Sequence, residues 1–301
     1  VHQAILIAVS IITKSMISNK LKLVLAVAII ATASSFLLFT SRPDGLMHAY
    51  FLNVGQGDAI LIRTPNGKNI LIDGGPDRKI LAELKEVMPF FDNTVDYMMF
   101  THPDKDHFEG LIHVLKKYPV KQILFTGVYK NNYLSNAFFK AAREKNIKIT
   151  VVDEKSDISL ADGTTIDIVF PFHQTLAAQK ATNNSSLIIN IIYGNNKILL
   201  TGDSEIDTEE KLLAASSKID ADILKVGHHG SKTSSSMDFL KVVTPKYSVI
   251  EVGKDNQYRH PHQSTLENLK KMGSKIFRTD LDGRIEFIMS KTGIIKIKTN
   301  P

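Results

Sequence analysis

The chain has 301 residues, with 37 Lys and Arg against 31 Asp and Glu, a formal charge of +6 and no cysteine. Disulfides, thiolate nucleophiles and cysteine-ligated zinc are thereby excluded. Residues 1–42 hold four basic side chains and no acidic one, which leaves only +2 for the other 259 residues, so the basic balance reports the N-terminal flank more than a nucleic-acid surface.

The sequence opens on Val1 rather than Met, as a fragment or a processed product would. Ala4 to Thr13 is apolar but too short to span a bilayer alone, whereas Leu21 to Phe39 is an apolar run broken only by Lys22, Thr32, Ser34 and Ser35. At about 1.5 Å per residue this run reaches ~28 Å, close to the hydrocarbon thickness, which predicts a transmembrane helix over 21–39. A cleaved signal peptide is the competing reading, but the run begins far into the chain and no clean small-residue cleavage site follows. Lys14, Lys20 and Lys22 precede the span and Arg42 alone follows it. The positive-inside tendency then puts residues 1–42 at the cell membrane with their lysine turn cytoplasmic, and residues 43–301 on the extracytoplasmic side.

Beyond Arg42, strands and helices alternate. Met47 to Leu52, Ala59 to Thr64 and Asn69 to Ile72 read as strands, the first pair around Gly55-Gln-Gly57 and the second closed by Pro65-Asn-Gly67. Helix Ile80 to Met88, strand Val95 to Phe100, helix Leu111 to Lys117, strand Gln122 to Phe125, helix Asn136 to Lys145 and strand Lys148 to Val152 follow. The second half repeats the scheme with strands Thr165 to Phe170, Ser186 to Tyr193 and Lys197 to Leu200, then helix Thr208 to Ala215. Strand Ile223 to Val226, helix Ser236 to Val242, strand Tyr247 to Glu251, helix Gln263 to Met272 and a closing hairpin from Ile276 to Ile297 complete it. Two β-rich halves with helices outside predict an α/β fold of four layers, an αββα sandwich.

Between a strand and a helix lies Thr101-His-Pro-Asp-Lys-Asp-His-Phe-Glu-Gly110, with two histidines and two aspartates in six consecutive positions. Read as a loop, it lets His102, Asp104, Asp106 and His107 converge on one point, and neutral imidazoles with carboxylates are a donor set for a divalent cation. A polar turn rich in Asp and His is the alternative, but matching Asp and His sites downstream speak against it.

His-x-Asp-x-Asp-His after a strand resembles the His-x-His-x-Asp-His signature of the metallo-β-lactamase superfamily, with Asp104 where most members have histidine. Phe51-Leu-Asn-Val-Gly-Gln-Gly-Asp-Ala-Ile60, Ile70-Leu-Ile-Asp-Gly-Gly75, Leu200-Thr-Gly-Asp203 and Lys225-Val-Gly-His-His-Gly-Ser-Lys-Thr233 resemble the motifs of its ComEC-type branch, the hydrolase domain of DNA-internalisation proteins. The resemblance covers roughly Leu46 to Lys298 and implies the four-layer sandwich and two divalent ions, zinc or manganese with magnesium admitted, bridged by Asp203. It implies His102, Asp104 and Asp203 for the first ion and Asp106, His107, Asp203 and His229 for the second. The stretch Ala181-Thr-Asn-Asn-Ser-Ser186 has no histidine where the family has one, so water or an Asn oxygen, Asn184 for instance, would complete the first site.

The remaining candidates are weighed one by one. His228 and His229 follow a strand, where adjacent side chains point opposite ways, so at most one faces a given metal directly. His229, immediately before Gly230, is assigned as ligand, and His228 either as a group that supports a ligand from behind or as leaving-group acid, with His260 in reserve. Asp73 at a strand tip is expected to hold a ligating imidazole from behind. Gly55 and Gly57 permit a tight turn from which Gln56 or Asp58 could line the cleft, and a purely structural turn is the alternative. Ser231, Lys232, Thr233 and Arg259 suit phosphate, and the helix start after Tyr258-Arg-His-Pro-His262 suits an anion. Glu109 departs from the family's glycine. Lys116, Lys117 and Lys121, and Lys270, Lys271, Lys275 and Arg278, read as solvated faces that could meet phosphates. His2, His48, His113 and His173 read as ordinary histidines.

A metal-bound hydroxide, with Asp106 and His228 among the catalytic groups, makes hydrolysis the expected reaction. The DNA-uptake resemblance favours phosphodiester cleavage by a membrane-tethered nuclease with DNA and other channel domains as partners. A small-molecule ester or phosphodiester hydrolase, and a non-catalytic channel domain, are the alternatives.

Overall fold

The computed structural model describes residues 19–40, 42–89, 93–174 and 182–301. The Ala4 to Thr13 run lies outside the described residues. The chain divides into two compact units, of which the second comprises Pro43–Pro89 and Asn93–Pro301. Of the first, the described part is essentially helix α1, Asn19–Thr40. Leu21, Leu23, Val24, Leu25, Val27, Ile29 and Ile30 are exposed on it. Among the described residues no helix is long and apolar enough to cross a membrane, so the span expected over 21–39 does not emerge as a membrane-crossing helix.

The larger unit is built on two mixed sheets. Strands β1 (Met47–Phe51), β2 (Ile60–Arg63), β3 (Asn69–Ile72), β4 (Val95–Met99), β5 (Val120–Phe125), β6 (Lys148–Val151), β14 (Arg284–Ser290) and β15 (Gly293–Asn300) form one sheet in the order β15-β14-β1-β2-β3-β4-β5-β6. Strands β7 (Ile158–Ser159), β8 (Thr164–Phe170), β9 (Ile188–Tyr193), β10 (Asn196–Leu200), β11 (Ile223–Lys225), β12 (Tyr247–Ile250) and β13 (Lys275–Arg278) form the other, ordered β13-β12-β11-β10-β9-β8-β7. In each sheet one end is antiparallel and the other parallel: β3 to β6 run parallel, as do β10 to β13.

Three cores explain the layering. Ile62, Ile70, Met99 and Phe287 from the first sheet meet Ile168, Ile189, Ile198 and Val249 from the second in a fully buried central layer. Helices α2 (Lys79–Val87), α3 (Lys105–Lys117) and α4 (Tyr133–Glu144) cover the outer face of the first sheet through Leu84, Phe108, Leu111 and Phe138. Helices α5 (Ile206–Ala214), α6 (Met237–Val243) and α7 (Gln263–Lys271) cover the second through Leu212, Leu240 and Leu269. Strands buried on both faces read as continuous apolar runs, as Asn69-Ile-Leu-Ile72 does. This is the predicted αββα arrangement.

Three element assignments from the sequence are corrected. Helix α3 begins at Lys105, six residues before the predicted Leu111, so Asp106 and His107 sit in its first turn and not on a loop. Its opening turn is polar, and the apolar periodicity becomes visible only from Phe108 onward. The expected hairpin from Ile276 to Ile297 is two things: β13 pairs parallel to β12 in the second sheet, the single turn α8 (Thr279–Asp282) follows, and only β14 and β15 form the hairpin, in the first sheet. The two-residue strand β7 carries no run long enough to be seen.

Candidate active site

Parallel strands aim their C-terminal ends at one edge of the sandwich, and an α/β sheet collects its chemistry there. Asp73 follows β3, Thr101 and His102 follow β4, Asp203 follows β10, His228 and His229 follow β11, and Glu251 follows β12. Two glycines allow the surrounding loops to close. A Cβ on Gly57, at φ 140°, would stand 2.1 Å from the Asp106 carbonyl oxygen, and one on Gly110 would stand 1.8 Å from that of Gly74. Glycine at these positions lets the β1–β2 and β3–α2 loops lie directly against α3.

His107, His229 and Asp203 meet at the centre. His107 Nε2 is 3.2 Å from Asp203 Oδ1, and His229 Nε2 is 3.4 Å from both Asp203 Oδ2 and Asp106 Oδ2. Each imidazole is held from behind. His229 Nδ1 donates to the Glu251 carbonyl at 2.8 Å, and His107 Nδ1 lies 2.8 Å from Asp73 Oδ2. Asp73 also accepts from the Thr101 amide and hydroxyl, each at 2.7 Å. The Nε2 atoms therefore face the centre, fixed by partners behind them.

Asp58, His107, Asp203 and His229 carry ligand-type atoms within 4.8 Å of one another. Asp58, however, approaches the Nδ1 edges, 3.6 Å from His107 and 3.3 Å from His229, and forms a buried ion pair with Lys225. It therefore stands behind the imidazoles, and Asp106 completes the front of the cage. Lys225, which opens the Lys225–Thr233 motif but is given no role by the sequence, is fully buried, donates to the Gly202 carbonyl at 3.1 Å and lies 3.8 Å from Asp203 Oδ1.

The electrostatics mark the same cage. Burial opposes charge on His107 and His229, but Asp203 and Asp58 around both, with Asp73 beside His107 and Asp106 beside His229, outweigh it and hold both well above the ordinary histidine value. Burial likewise opposes an ionised Asp203, and the two imidazoles overcome it, holding the carboxyl well below its usual range. Asp106 is lowered in the same way by His229 and His107. His102, buried and beside His107, is pushed down to about 4. His102 Nε2, His107 Nε2, His229 Nε2 and Asp203 Oδ1 are buried without hydrogen-bond partners. Buried polar atoms that converge in this way need a partner, and a divalent cation, taking the place of the imidazole protons, is one that these donors fit.

The donors expected for a first ion are not equivalent to these. Asp104 Oδ1 lies 4.0 Å from His102 Nε2 but is taken by Lys130 Nζ at 2.6 Å. Asn184 Oδ1, offered above as a ligand, instead accepts from the Glu205 amide and the Thr208 hydroxyl, each at 2.9 Å. Asn183 is the amide that meets a site histidine, its Nδ2 3.4 Å from His228 Nδ1.

His228 and His229 do not alternate as on a strand. Both have left-handed backbone, φ 46° and 53°, in a short turn over Gly227–Gly230, and this turns both rings toward Asp203. His228 is half-buried, its Nε2 3.9 Å from Asp203 Oδ2 and its Nδ1 3.2 Å from Glu205 Oε1. Glu205, also missed in the sequence, accepts from Thr233 Oγ1 at 2.6 Å, and Thr233 in turn meets the buried Ser231 hydroxyl at 2.9 Å. Ser231 is thus committed to the loop, while Lys232 and Arg259 are exposed. His260 stands 5.4 Å from His228 and 6.3 Å from His229 between ring centroids, and burial brings it down to about 4. Glu109 pairs at 3.6 Å with Lys105. Of the basic clusters, Lys121 pairs with Asp96 at 2.8 Å and Arg278 with Asp280 at 2.6 Å. Beside Asp106 opens a cleft of about 390 Å³ lined by Gln56, Pro76, Lys105 and Asn256 to Tyr258.

Comparison with known proteins agrees with this architecture. The sequence profile described as "Metallo-beta-lactamase superfamily" matches residues 52–253. ComE operon protein 3 of Bacillus subtilis (strain 168) is 30% identical over 253 residues, covering 78% of this chain and 32% of that protein. Recombination protein 2 of Haemophilus influenzae is 31% identical over 280 residues, covering 90% of this chain and 33% of that protein. The chain thus spans about a third of the length of the curated relatives it matches. The metallo-beta-lactamase fold protein YhfI of Bacillus subtilis superposes with a TM-score of 0.51 at 11% identity, over 77% of this chain and 96% of YhfI, a likeness of fold. The chain belongs to the metallo-beta-lactamase superfamily, and its relatives are ComEC-type competence proteins.

Proposed function

We propose that this protein is a metal-dependent phosphodiesterase that cleaves DNA, with Asp106, His107, Asp203 and His229 as the ligands of a divalent cation. The observation that carries this reading is the convergence of His107 Nε2 and His229 Nε2 on the two oxygens of Asp203, at 3.2 and 3.4 Å, with both imidazoles fixed from behind. A cation held there supplies Lewis acidity toward a phosphoryl oxygen and lowers the pKa of a coordinated water. The carboxylate-rich donor set suits manganese or magnesium as well as zinc.

The chain's own groups do the rest. Glu205 accepts from His228 Nδ1 and so turns its Nε2 toward Asp203, 3.9 Å away, where the half-buried ring, in its doubly protonated form, can hand the Nε2 proton to the departing oxygen and be left neutral with Nδ1–H on Glu205. Lys105, at the start of α3, brings an exposed ammonium to the mouth of the Gln56–Tyr258 cleft, where an anionic backbone can be steered. His102 and Asp104 adjoin the cage through His107, the His102 ring lying 4.3 Å from that of His107 between centroids. The names of the relatives, a competence operon product and a recombination protein, support DNA as substrate and uptake as the process. The exposed apolar side chains of α1 support attachment of the protein to a membrane, and Lys14, Lys20 and Lys22 ahead of the apolar run, against Arg42 alone behind it, support an extracytoplasmic hydrolase unit.

The test is a substrate panel with the full chain and Mn²⁺: end-labelled single- and double-stranded DNA, a chromogenic phosphodiester and a chromogenic carboxylic ester. The proposal expects DNA and the phosphodiester to be cleaved. Turnover of the carboxylic ester with DNA left intact would instead assign a small-molecule hydrolase, and no turnover by protein shown to hold metal would assign a non-catalytic domain.

A further inference from the structure

The geometry points to Lys130 as a built-in cation that stands where a second divalent ion would otherwise bind, so that the centre takes one metal ion per chain. The inference rests on the ligand assignment just proposed, but not on the identity of the substrate. Lys130 follows β5, and its ammonium reaches 2.6 Å from Asp104 Oδ1, the carboxylate nearest to the buried His102 Nε2. Asp104 is the N-cap of α3, yet its side chain makes no capping bond, because the carboxylate is turned to the lysine.

The other donors on that side are spent. Asn184 Oδ1 holds the start of α5 through Glu205 and Thr208. Ser186 Oγ donates to the Asn183 carbonyl at 2.6 Å and accepts from the Asp203 amide at 3.1 Å. A second ion would find one free imidazole nitrogen, a share of Asp203 and a carboxylate already neutralised by an ammonium. Divalent ions of this class take four to six ligands, and a neighbouring positive charge opposes their entry. Among the described residues, the ammonium near the Asp106, His107, Asp203 and His229 cage is that of Lys225, 3.8 Å from Asp203 Oδ1 and already paired with Asp58. Lys130 keeps a partly exposed side chain and so presents a single positive charge, half that of a divalent ion, to an anionic substrate from a flexible stem.

Metal content decides the matter without any assay of turnover. The full chain, dialysed against Mn²⁺ and measured by elemental analysis and electron paramagnetic resonance, is expected to hold one Mn²⁺ with the signal of an isolated ion. Lys130→Ala is expected to tighten binding of a second equivalent by about 10- to 100-fold, the range typical of groups that tune a metal site from outside its ligands. Asp104→His combined with Lys130→Ala is expected to reach two per chain, with an exchange-coupled spectrum. Two tightly bound ions in the unaltered chain, or second-site affinity unchanged by Lys130→Ala, would overturn the inference. Because the count in the unaltered chain is itself decisive, a variant that folds poorly does not protect the proposal. Loss of DNA cleavage would leave it untouched, and one ion that stays bound after His229→Ala would instead sink the ligand assignment.

Discussion

Lys225 Nζ lies 3.8 Å from Asp203 Oδ1 with no exposure to solvent, and its ion pair with Asp58 ties that aspartate to the floor of the centre. A charged group buried this deeply is tolerated because two carboxylates, the Gly202 carbonyl and nearby Glu251 surround it, and they keep its pKa raised against the burial that would lower it. Lys225→Met is therefore expected to cost about 3–5 kcal/mol, chiefly by leaving Asp58 uncompensated. Urea unfolding of the metal-free chain measures the loss. Asp58→Asn in the same background should recover part of it, and strict additivity of the two changes would contradict the pairing.

The cage should also show itself in stability. A ligand that binds only the folded state stabilises by mass action, by about 2.7 kcal/mol at 100 times its Kd. Thermal unfolding is accordingly expected to shift upward with Mn²⁺ and to return with EDTA. In Asp203→Ala and His229→Ala the increment should vanish, and an equal shift in those variants would place the metal elsewhere.

Phe100 braces the strand end that delivers Thr101 and His102. It is fully buried, with ring centroids 4.9 Å from Phe108, 5.0 Å from Phe125 and 5.6 Å from Phe138. Phe100→Ala is expected to cost about 3–5 kcal/mol through lost transfer energy and a residual cavity. The midpoint of urea unfolding checks this, and a loss below 1 kcal/mol would mean that the aromatic cluster collapses around the gap.

Away from the site, His48 and Glu286 pin β1 to β14, with Nδ1 2.8 Å from Oε1. Burial opposes charge on Glu286, but His48 and Lys298 outweigh it and bring the carboxyl down to about 2 from an ordinary 4.5. Its contribution is thus complete above about 4.5 and is lost as pH falls through about 2. His48 is raised above 6.5 by Glu286 and Asp44 despite burial, so its contribution is complete below 6.5 and fades as pH rises through the higher folded value. The pair should matter most between pH 4.5 and 6.5. Glu286→Gln is expected to cost about 1.5–3 kcal/mol in that window and little at pH 2, as read from denaturation curves at several pH values. A cost independent of pH would rule the charge out as its source.

Much of the sandwich was legible in the sequence because buried parallel strands announce themselves as apolar runs with a polar residue at the tip. Asp73, Asp203 and the His228-His229 pair are all flagged in this way. Groups that act from a distance were not legible. Lys225 sits inside the apolar stretch Ile223-Leu-Lys-Val226, where strand periodicity cannot tell a buried cation from a surface one. Lys130 reaches Asp104 from 26 positions away, and Glu205 and Glu251 look like an ordinary loop residue and a strand end. The start of α3 was hidden because its first turn spends its side chains on chemistry, so the apolar period there is lost. The left-handed turn at His228 and His229 defeated the alternation argument for the same reason: backbone unusual for these residues brings both rings to one side.

The central claim, that Asp203 anchors a cation that drives phosphodiester cleavage, is tested most directly by one rate. Mn²⁺-dependent cleavage of end-labelled DNA should be compared between the unaltered chain and Asp203→Ala, both shown to be folded. The account predicts cleavage that EDTA abolishes and that the substitution lowers by at least about a hundredfold, as removal of a principal electrostatic group does. Cleavage that persists in Asp203→Ala at the original rate would contradict it.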